Sequence, residues 1–227
     1  MFSREDVSTF INQHFEPAWE MVRPVPIVRI DFGNGNVSTR TLHGNVASYV
    51  CGADGQVVDI LPGIYTPAAY TTALARPRDL TAGMRLLDAE RRLATLREYH
   101  QGAAQILRFA MQPRPNGNQI PQNPMPDVGK GRVELRVERV VAPPQLNQFA
   151  PAPRPRTAAE LANWQPLIAD TRLNESTRRL LIHDRLAAVG AVQPEQIKRW
   201  LYRDVLHADL DDPNLGLGDD FFAEIER

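Results

Sequence analysis

The stretch Tyr49-Val50-Cys51-Gly52-Ala53-Asp54-Gly55-Gln56-Val57-Val58-Asp59-Ile60-Leu61-Pro62-Gly63 decides how the first third of the chain folds. Asp54-Gly55 accepts the positive φ angles of a hairpin turn, and the runs on either side of it are rich in apolar and β-branched residues. Residues 46–51 should therefore pair antiparallel with 56–61, until Pro62-Gly63 ends the ladder. Val46, Ser48 and Val50 share one face of the first strand, and Ala47, Tyr49 and Cys51 share the other. Both faces are apolar or small, so this strand is expected inside a sheet covered on two sides. Thr66-Pro67 then opens a helix whose one side is Ala69, Tyr70, Ala73 and Leu74.

Upstream, Val7, Phe10 and Ile11 recur at helical spacing behind Ser3, a residue suited to the N-cap, and predict a short helix over 4–14. Val28, Ile30 and Phe32 alternate with Arg29 and Asp31, and Asn34-Gly35 follows directly, which predicts a hairpin of 27–32 with 37–42. Residues 26–61 thus read as consecutive antiparallel strands. Downstream, a helical pattern over 79–112 places Leu86, Ala89, Leu93, Leu96, Ala103, Leu107 and Ala110 on the a and d positions of successive heptads. His100 interrupts that seam at one a position. A seam so short and so broken favours one arm of an intramolecular helix pair over a dimeric coiled coil.

Residues 113–131 are rich in Pro, Asn, Gln and Gly, and 143–155 in Pro, so 113–156 reads as a linker. It is interrupted by one alternating strand over 132–141, with Val133, Leu135 and Val137 inward. The rest is helical. Thr157 caps a run to about Ala169 that Pro166 kinks, Asn174 caps one to about Val189, and Gln193-Pro194 opens one through Trp200 to Leu206. Their apolar stripes, with Trp164 and Trp200 as anchors, require a partner surface, either the 79–112 helix or another protein. The expected organisation is a domain over 1–77, the long helix over 78–112, the linker over 113–156 and a helical module over 157–227.

The 227 residues carry a net charge of -1, with 23% charged and 43% hydrophobic, which is the range of ordinary folded domains and excludes a disordered or collagen-like chain. One cysteine excludes an internal disulfide, a four-cysteine zinc site and a C-x-x-C pair. The near-balance of charge supplies no field to gather nucleic acid or an anionic membrane. Acids at Glu5 and Asp6, and the lack of a window approaching 18 apolar residues, make the cytoplasm the expected location with no membrane association.

The first helix, His14-Phe15-Glu16-Pro17-Ala18-Trp19, a strand, the hairpin from Tyr49 to Asp59, Leu61-Pro62-Gly63 and the Thr66-Pro67 helix together resemble the C-terminal half of a thioredoxin-like domain, over residues 2–76. The phrases "AWEMVRPVP" and "ADLDDPNLGLG" are similar to those of a bacterial protein family that carries such a domain. The resemblance implies an α+β protein: a partial thioredoxin-like sheet, antiparallel or mixed, with flanking helices and a C-terminal helical module. The sequence departs from that family in lacking its first strand and its C-x-x-C. Gly44-Asn45 stands where the family has a cis-proline, and Cys51 falls about 20 Å along the strand from that point. The implied role is a redox-inactive interaction or scaffolding module.

No residue combination completes a catalytic or cofactor-binding motif, so neither is assigned. Cys51 reads as a buried, inert core cysteine, with a reactive thiol as the competing reading. Asp204, His207 and Asp211 follow i, i+3, i+7 spacing near a helix end, with Asp209 and Asp212 close by, so they are candidate metal ligands against the simpler reading of a solvated turn. Counted from Asp209, Pro213 and Asn214 break the EF-hand pattern. Arg172, Arg178, Arg179 and Arg185 lack interleaved aromatics and read as a solvated face, with Glu175 and Arg179 paired at i, i+4. A triad of His43, Ser48 and Asp59 has no supporting elbow motif. A protein partner or self-association is expected, with no cofactor. The competing class is an enzyme: a thiol oxidoreductase using Cys51 with a partner's cysteine, or a metal-dependent activity near His207.

Overall fold

The computed structural model describes residues 4–25, 27–31, 37–41, 45–112 and 158–212, together with single residues 2, 33, 35 and 215. The expected linker strand over 132–141, the N-cap Ser3 and His43 lie outside the described residues. The chain is of the α+β class. It divides into two compact units, one built from Met1–Glu20, Val46–Gln112 and the C-terminal stretch up to Lys198, the other from Met21–Asn45 and the stretch from Arg199 onward.

In the first unit, helix α1 (Glu5–His14) starts at Arg4 with Glu5 and Asp6 in its first turn, where acids complement the helix dipole. The hairpin appears as β3 (Ala47–Cys51) against β4 (Val57–Pro62), numbered after two strands of the second unit, β1 (Ile27–Asp31) and β2 (Val37–Thr41). Gly55 has φ +77 and Gly52 donates to the Gln56 carbonyl at 2.8 Å, so a hairpin turn forms where Asp54-Gly55 predicts one. It is centred one residue earlier, on Ala53-Asp54, because the Gly55 amide donates to the Gly52 carbonyl at 2.9 Å and of the pair only Gly55 takes a positive φ. The doubly covered strand, however, is β4 and not β3. All six β4 residues are buried, whereas β3 is buried at Val50 and exposed at Cys51. The reason is position: β4 has β3 on one edge, donates from Val57 to the Val192 carbonyl at 2.9 Å, and is packed upon by helices.

Helix α2 (Pro67–Met84) runs through Pro77, and α3 (Ala89–Met111) begins where Asp88 accepts the Arg91 amide at 2.8 Å. The helical pattern expected over 79–112 is therefore broken at 85–88, and Leu86, assigned to the seam, is 98% exposed. Val7, Val50, Val58, Leu61, Tyr65, Tyr70, Leu74 and Leu96 belong to one buried core with Phe10, Ile11 and Phe15 packed against it.

Helix α4 (Ala158–Leu173) continues without interruption through a π-helical turn (Asn174–Arg178) into α5 (Arg179–Val189). Asn174 does not cap a new helix. Its amide instead donates to the Ile64 carbonyl at 2.8 Å and its oxygen accepts from Arg178 at 2.8 Å. The π turn makes Asn174 and Arg179, five residues apart, face inward together; both are buried. From there Ile182, His183 and Leu186 continue the buried stripe at ordinary helical spacing. Helices α3 and α5 pack side by side, the intramolecular pair that the heptad pattern predicts. Trp164, expected as an anchor, is half-buried.

In the second unit, β1 and β2 form the hairpin that Asn34-Gly35 predicts, with Gly35 at φ +85, but they pair from Ile27 opposite Thr41 to Asp31 opposite Val37, one residue out of the register that a two-residue turn gives. The two hairpins form separate two-stranded sheets, so residues 26–61 do not make one meander. Helix α6 (Pro194–Trp200), whose residues up to Lys198 belong to the first unit, leads into a second π-helical turn (Leu201–Val205), where the Leu206 amide reaches back to the Leu201 carbonyl at 2.9 Å. Trp200 is half-buried too, while Leu201, Tyr202, Val205 and Leu206 are buried. None of the described helices is long and apolar enough to cross a membrane.

Candidate functional site

Buried polar groups inside the first unit converge on Asp59 in the middle of β4. The carboxylate is fully buried, and Arg179, 2% exposed at the start of α5, meets it end-on: Nη1 donates to Oδ1 at 2.6 Å and Nη2 to Oδ2 at 2.9 Å. Nη1 also donates to the Ile60 carbonyl at 2.8 Å. The Tyr99 hydroxyl, from α3, donates to Oδ2 at 2.8 Å, and the Ile60 amide donates to Oδ1 at 2.8 Å. Four donors therefore occupy the roughly four lone-pair sites of the carboxylate. A planar guanidinium bound edge-on is the strongest such pairing, and it ties β4 to α5.

Beside it, His100 of α3 and His183 of α5, each 2% exposed, approach with their Nδ1 atoms 2.9 Å apart. The separation is that of a hydrogen bond, so one ring carries its proton on Nδ1 and donates it to the bare Nδ1 of the other. The Tyr99 ring stands edge-on to both, with centroids 4.9 Å and 5.8 Å away.

The charges follow from burial and neighbours. Burial drives the Asp59 carboxyl up, but Arg179 first, then His183 and His100, outweigh it and hold the group at about 2. Burial pushes His183 down to about 3, with the Arg179 cation adding to the effect. Burial likewise takes His100 to about 4 against the opposing pull of Asp59. Burial and the Asp59 charge raise the Tyr99 phenol. At neutral pH the cluster thus holds one anion, one cation, two neutral imidazoles and a neutral phenol.

Among the described residues, Asp59, His100 and His183 are the group of His, Cys, Asp and Glu whose ligand atoms converge, all within 4.8 Å of one another. Two imidazoles and a carboxylate are a donor set that transition metals accept. The bonding does not fit one. Both carboxylate oxygens are already fully hydrogen-bonded, and a divalent ion would sit in a dry site beside the Arg179 cation. The two Nδ1 atoms hold a proton between them.

The residues singled out from the sequence lie elsewhere. Asp204 is exposed and bonds Arg203 at 3.0 Å, and Asp211 is exposed and bonds Arg199 at 3.3 Å. His207 is exposed with φ +55, and among the described residues no metal-type cluster contains these three. Cys51 is exposed at the end of β3, a correction to the buried position expected of it. Its neighbours still make it a poor nucleophile, because partial desolvation and the Asp54 carboxylate push the thiol up. Ser48 shares a 2.8 Å hydrogen bond with the Tyr70 hydroxyl and Asp59 is bound to Arg179, so the two cannot belong to one triad. The basic face of the last helices also dissolves: Arg172 and Arg185 are exposed, Arg178 bonds Asn174, and Arg179 is buried on Asp59 instead of pairing with Glu175 on the surface.

Sequence reasoning missed Tyr99 and His183, read Arg179 as part of a solvated face, and read His100 only as a break in a seam. Two signals would have found them. His100 occupies an inward heptad position between Leu96 and Ala103, and His183 stands between Ile182 and Leu186 in an apolar stripe, so each of two packing helices places an imidazole in its seam. No protein family, curated protein or solved structure matches the chain.

Proposed function

We propose that the chain is a redox-inactive protein with a thioredoxin-like N-terminal segment, and that it acts as an interaction or scaffolding module rather than as an enzyme. One observation carries this reading: its convergent cluster of titratable groups is consumed internally. Asp59 has all its acceptor sites filled, Arg179 spends its guanidinium on Asp59 and the Ile60 carbonyl, and the imidazoles bond each other. With Asp59, His100, Arg179 and His183 at most 2% exposed, a substrate has neither access nor a free donor there. A network so closed fixes the mutual placement of β4, α3 and α5, which is what a rigid binding scaffold needs. Thiol chemistry at Cys51 is disfavoured by its raised pKa and by the lack of a second cysteine.

The test incubates the purified chain with a small-molecule extract, follows the compounds by mass spectrometry, and in parallel cross-links the chain in a lysate. The expected result is no compound consumed, together with a discrete cross-linked partner or self-adduct. A compound consumed by the native chain and spared by H183Q or C51A would overturn the proposal.

A further inference from the structure

The α3–α5 interface differs from an ordinary helix seam in one respect. Leu96 and Ala104 on α3, and Ile182 and Leu186 on α5, are buried around a polar contact that exists only while the two rings share a single proton between their Nδ1 atoms. We propose that the His100–His183 contact is an acid-operated latch, and that proton uptake by this pair parts α3 from α5 while α5 stays fixed to β4.

The chemistry of the pair sets the sequence of events. A first added proton lands on the outer nitrogen of one ring and leaves the Nδ1–H···Nδ1 bond in place, but it creates an imidazolium in a dry interface. A second puts two N–H groups face to face 2.9 Å apart, where no hydrogen bond exists and two like charges repel. Apart from the Val58 carbonyl of β4, which bonds His100 and favours its charged form, the groups around the rings give the added charges little compensation. From β4 comes Asp59, already neutralised by Arg179; from α3, the neutral Tyr99; from α5, the Arg179 cation; and from α2, Arg76, which acts on His183 with the same sign. Glu175, in the π turn, acts on Arg179. Asp59 is thus the carboxylate that acts on both rings, and both of its oxygens are already engaged by Arg179.

The second half of the proposal rests on the other polar tie. The bidentate Asp59–Arg179 pair joins α5 to β4 with both oxygens engaged, and it contains no group that titrates where histidines do. Acid thus reaches the contact between α3 and α5 before it reaches the contact between α5 and β4, so the opening is local and not an unfolding of the whole unit. Tyr99 remains as the tether of α3 to Asp59.

The experiment is an NMR titration of the full chain, following the five imidazoles and the amide exchange of α3 and β4 as the pH is lowered. Two imidazoles should stay neutral at least one pH unit below the range of ordinary histidines. Their protonation should coincide with loss of protection along α3, with β4 amides still protected. In H183Q, which keeps a hydrogen-bonding partner for His100 but removes one titrating ring, the release should move at least one pH unit lower. The latch is overturned if all imidazoles titrate in the ordinary range with α3 protection unchanged. It is also overturned if α3 and β4 lose protection together, or if H183Q opens at the native pH. Should H183Q not fold, the native titration decides alone.

Discussion

Replacing Arg179 with Met would remove three hydrogen bonds at once, two to Asp59 and one to the Ile60 carbonyl, from a side chain that is 2% exposed. The carboxylate would then keep two of its four donors, Tyr99 and the Ile60 amide, inside a dry core. Breaking a buried pair in this way costs about 3 to 5 kcal/mol, because the surviving charge is left uncompensated. D59N should cost a similar amount by stranding the guanidinium. Replacing both residues, as D59L with R179M, removes both charges, and apolar substitutes of similar volume are often neutral in such sites. Here the Ile60 carbonyl loses one partner, while the half-buried Tyr99 turns toward water, so the double variant should cost about 1 to 3 kcal/mol. The single losses sum to about 6 to 10 kcal/mol, which makes the coupling at least about 3 kcal/mol. Urea denaturation of the four proteins, followed by circular dichroism, measures it. Single variants that each lose under about 1 kcal/mol and add without coupling would refute the claim that this pair ties β4 to α5.

Stability should be flat above pH 6.5 and fall below it, since the folded imidazoles sit at about 4 and 3 and the unfolded chain takes up their protons first. Two such groups give a slope of up to about 2.7 kcal/mol per pH unit, readable from urea midpoints between pH 6 and 4; a slope near zero there would contradict the buried pair. Asp59, held at about 2, adds its own stability above the ordinary carboxylate range and loses it only as the pH falls toward 2. Gly63→Ala should destabilise by about 1 to 3 kcal/mol in thermal melts, because φ is +72 and a Cβ would stand 2.9 Å from the Asn174 amide. Gly35→Val, at φ +85 with nothing within 4 Å, should cost about 1 kcal/mol from the backbone alone. Ellman's reagent should label the exposed Cys51 in the native state, slowly at neutral pH and faster as the pH rises; complete protection would restore the buried reading.

The hairpins and the helix pair were legible because each is written in local signals. Asp54-Gly55 and Asn34-Gly35 announce their turns, and the heptad spacing of Leu93, Leu96 and Leu107 announces a helix that packs against another. The order of burial across β3 and β4 was not legible, since it depends on Val192, far along the chain, closing the second edge of β4. Continuity through Asn174 was hidden for a related reason: an asparagine there is a good cap, and only its tertiary bond to Ile64 makes it an interior residue. The candidate site drew on residues 59, 99, 100, 179 and 183, which no spacing rule joins. Glu175 supplied Arg179 with a plausible surface partner at i, i+4, and the charge pattern alone does not distinguish that pair from a bond to a strand 120 positions away. The polar interruptions at His100 and His183 were visible, and their meaning lay in their coincidence across two helices.

The central claim, that the Asp59 network is closed and structural, is tested most directly by calorimetric titration of the full chain with zinc and with nickel, with the histidine NMR signals followed in parallel. Asp59 has no lone pair to give and the imidazoles hold a proton between them, so the account predicts no binding at this site and unmoved signals for His100 and His183. One-to-one binding that H100Q and H183Q abolish, while H14Q and H207Q leave it intact, would contradict the account and make this cluster a metal centre.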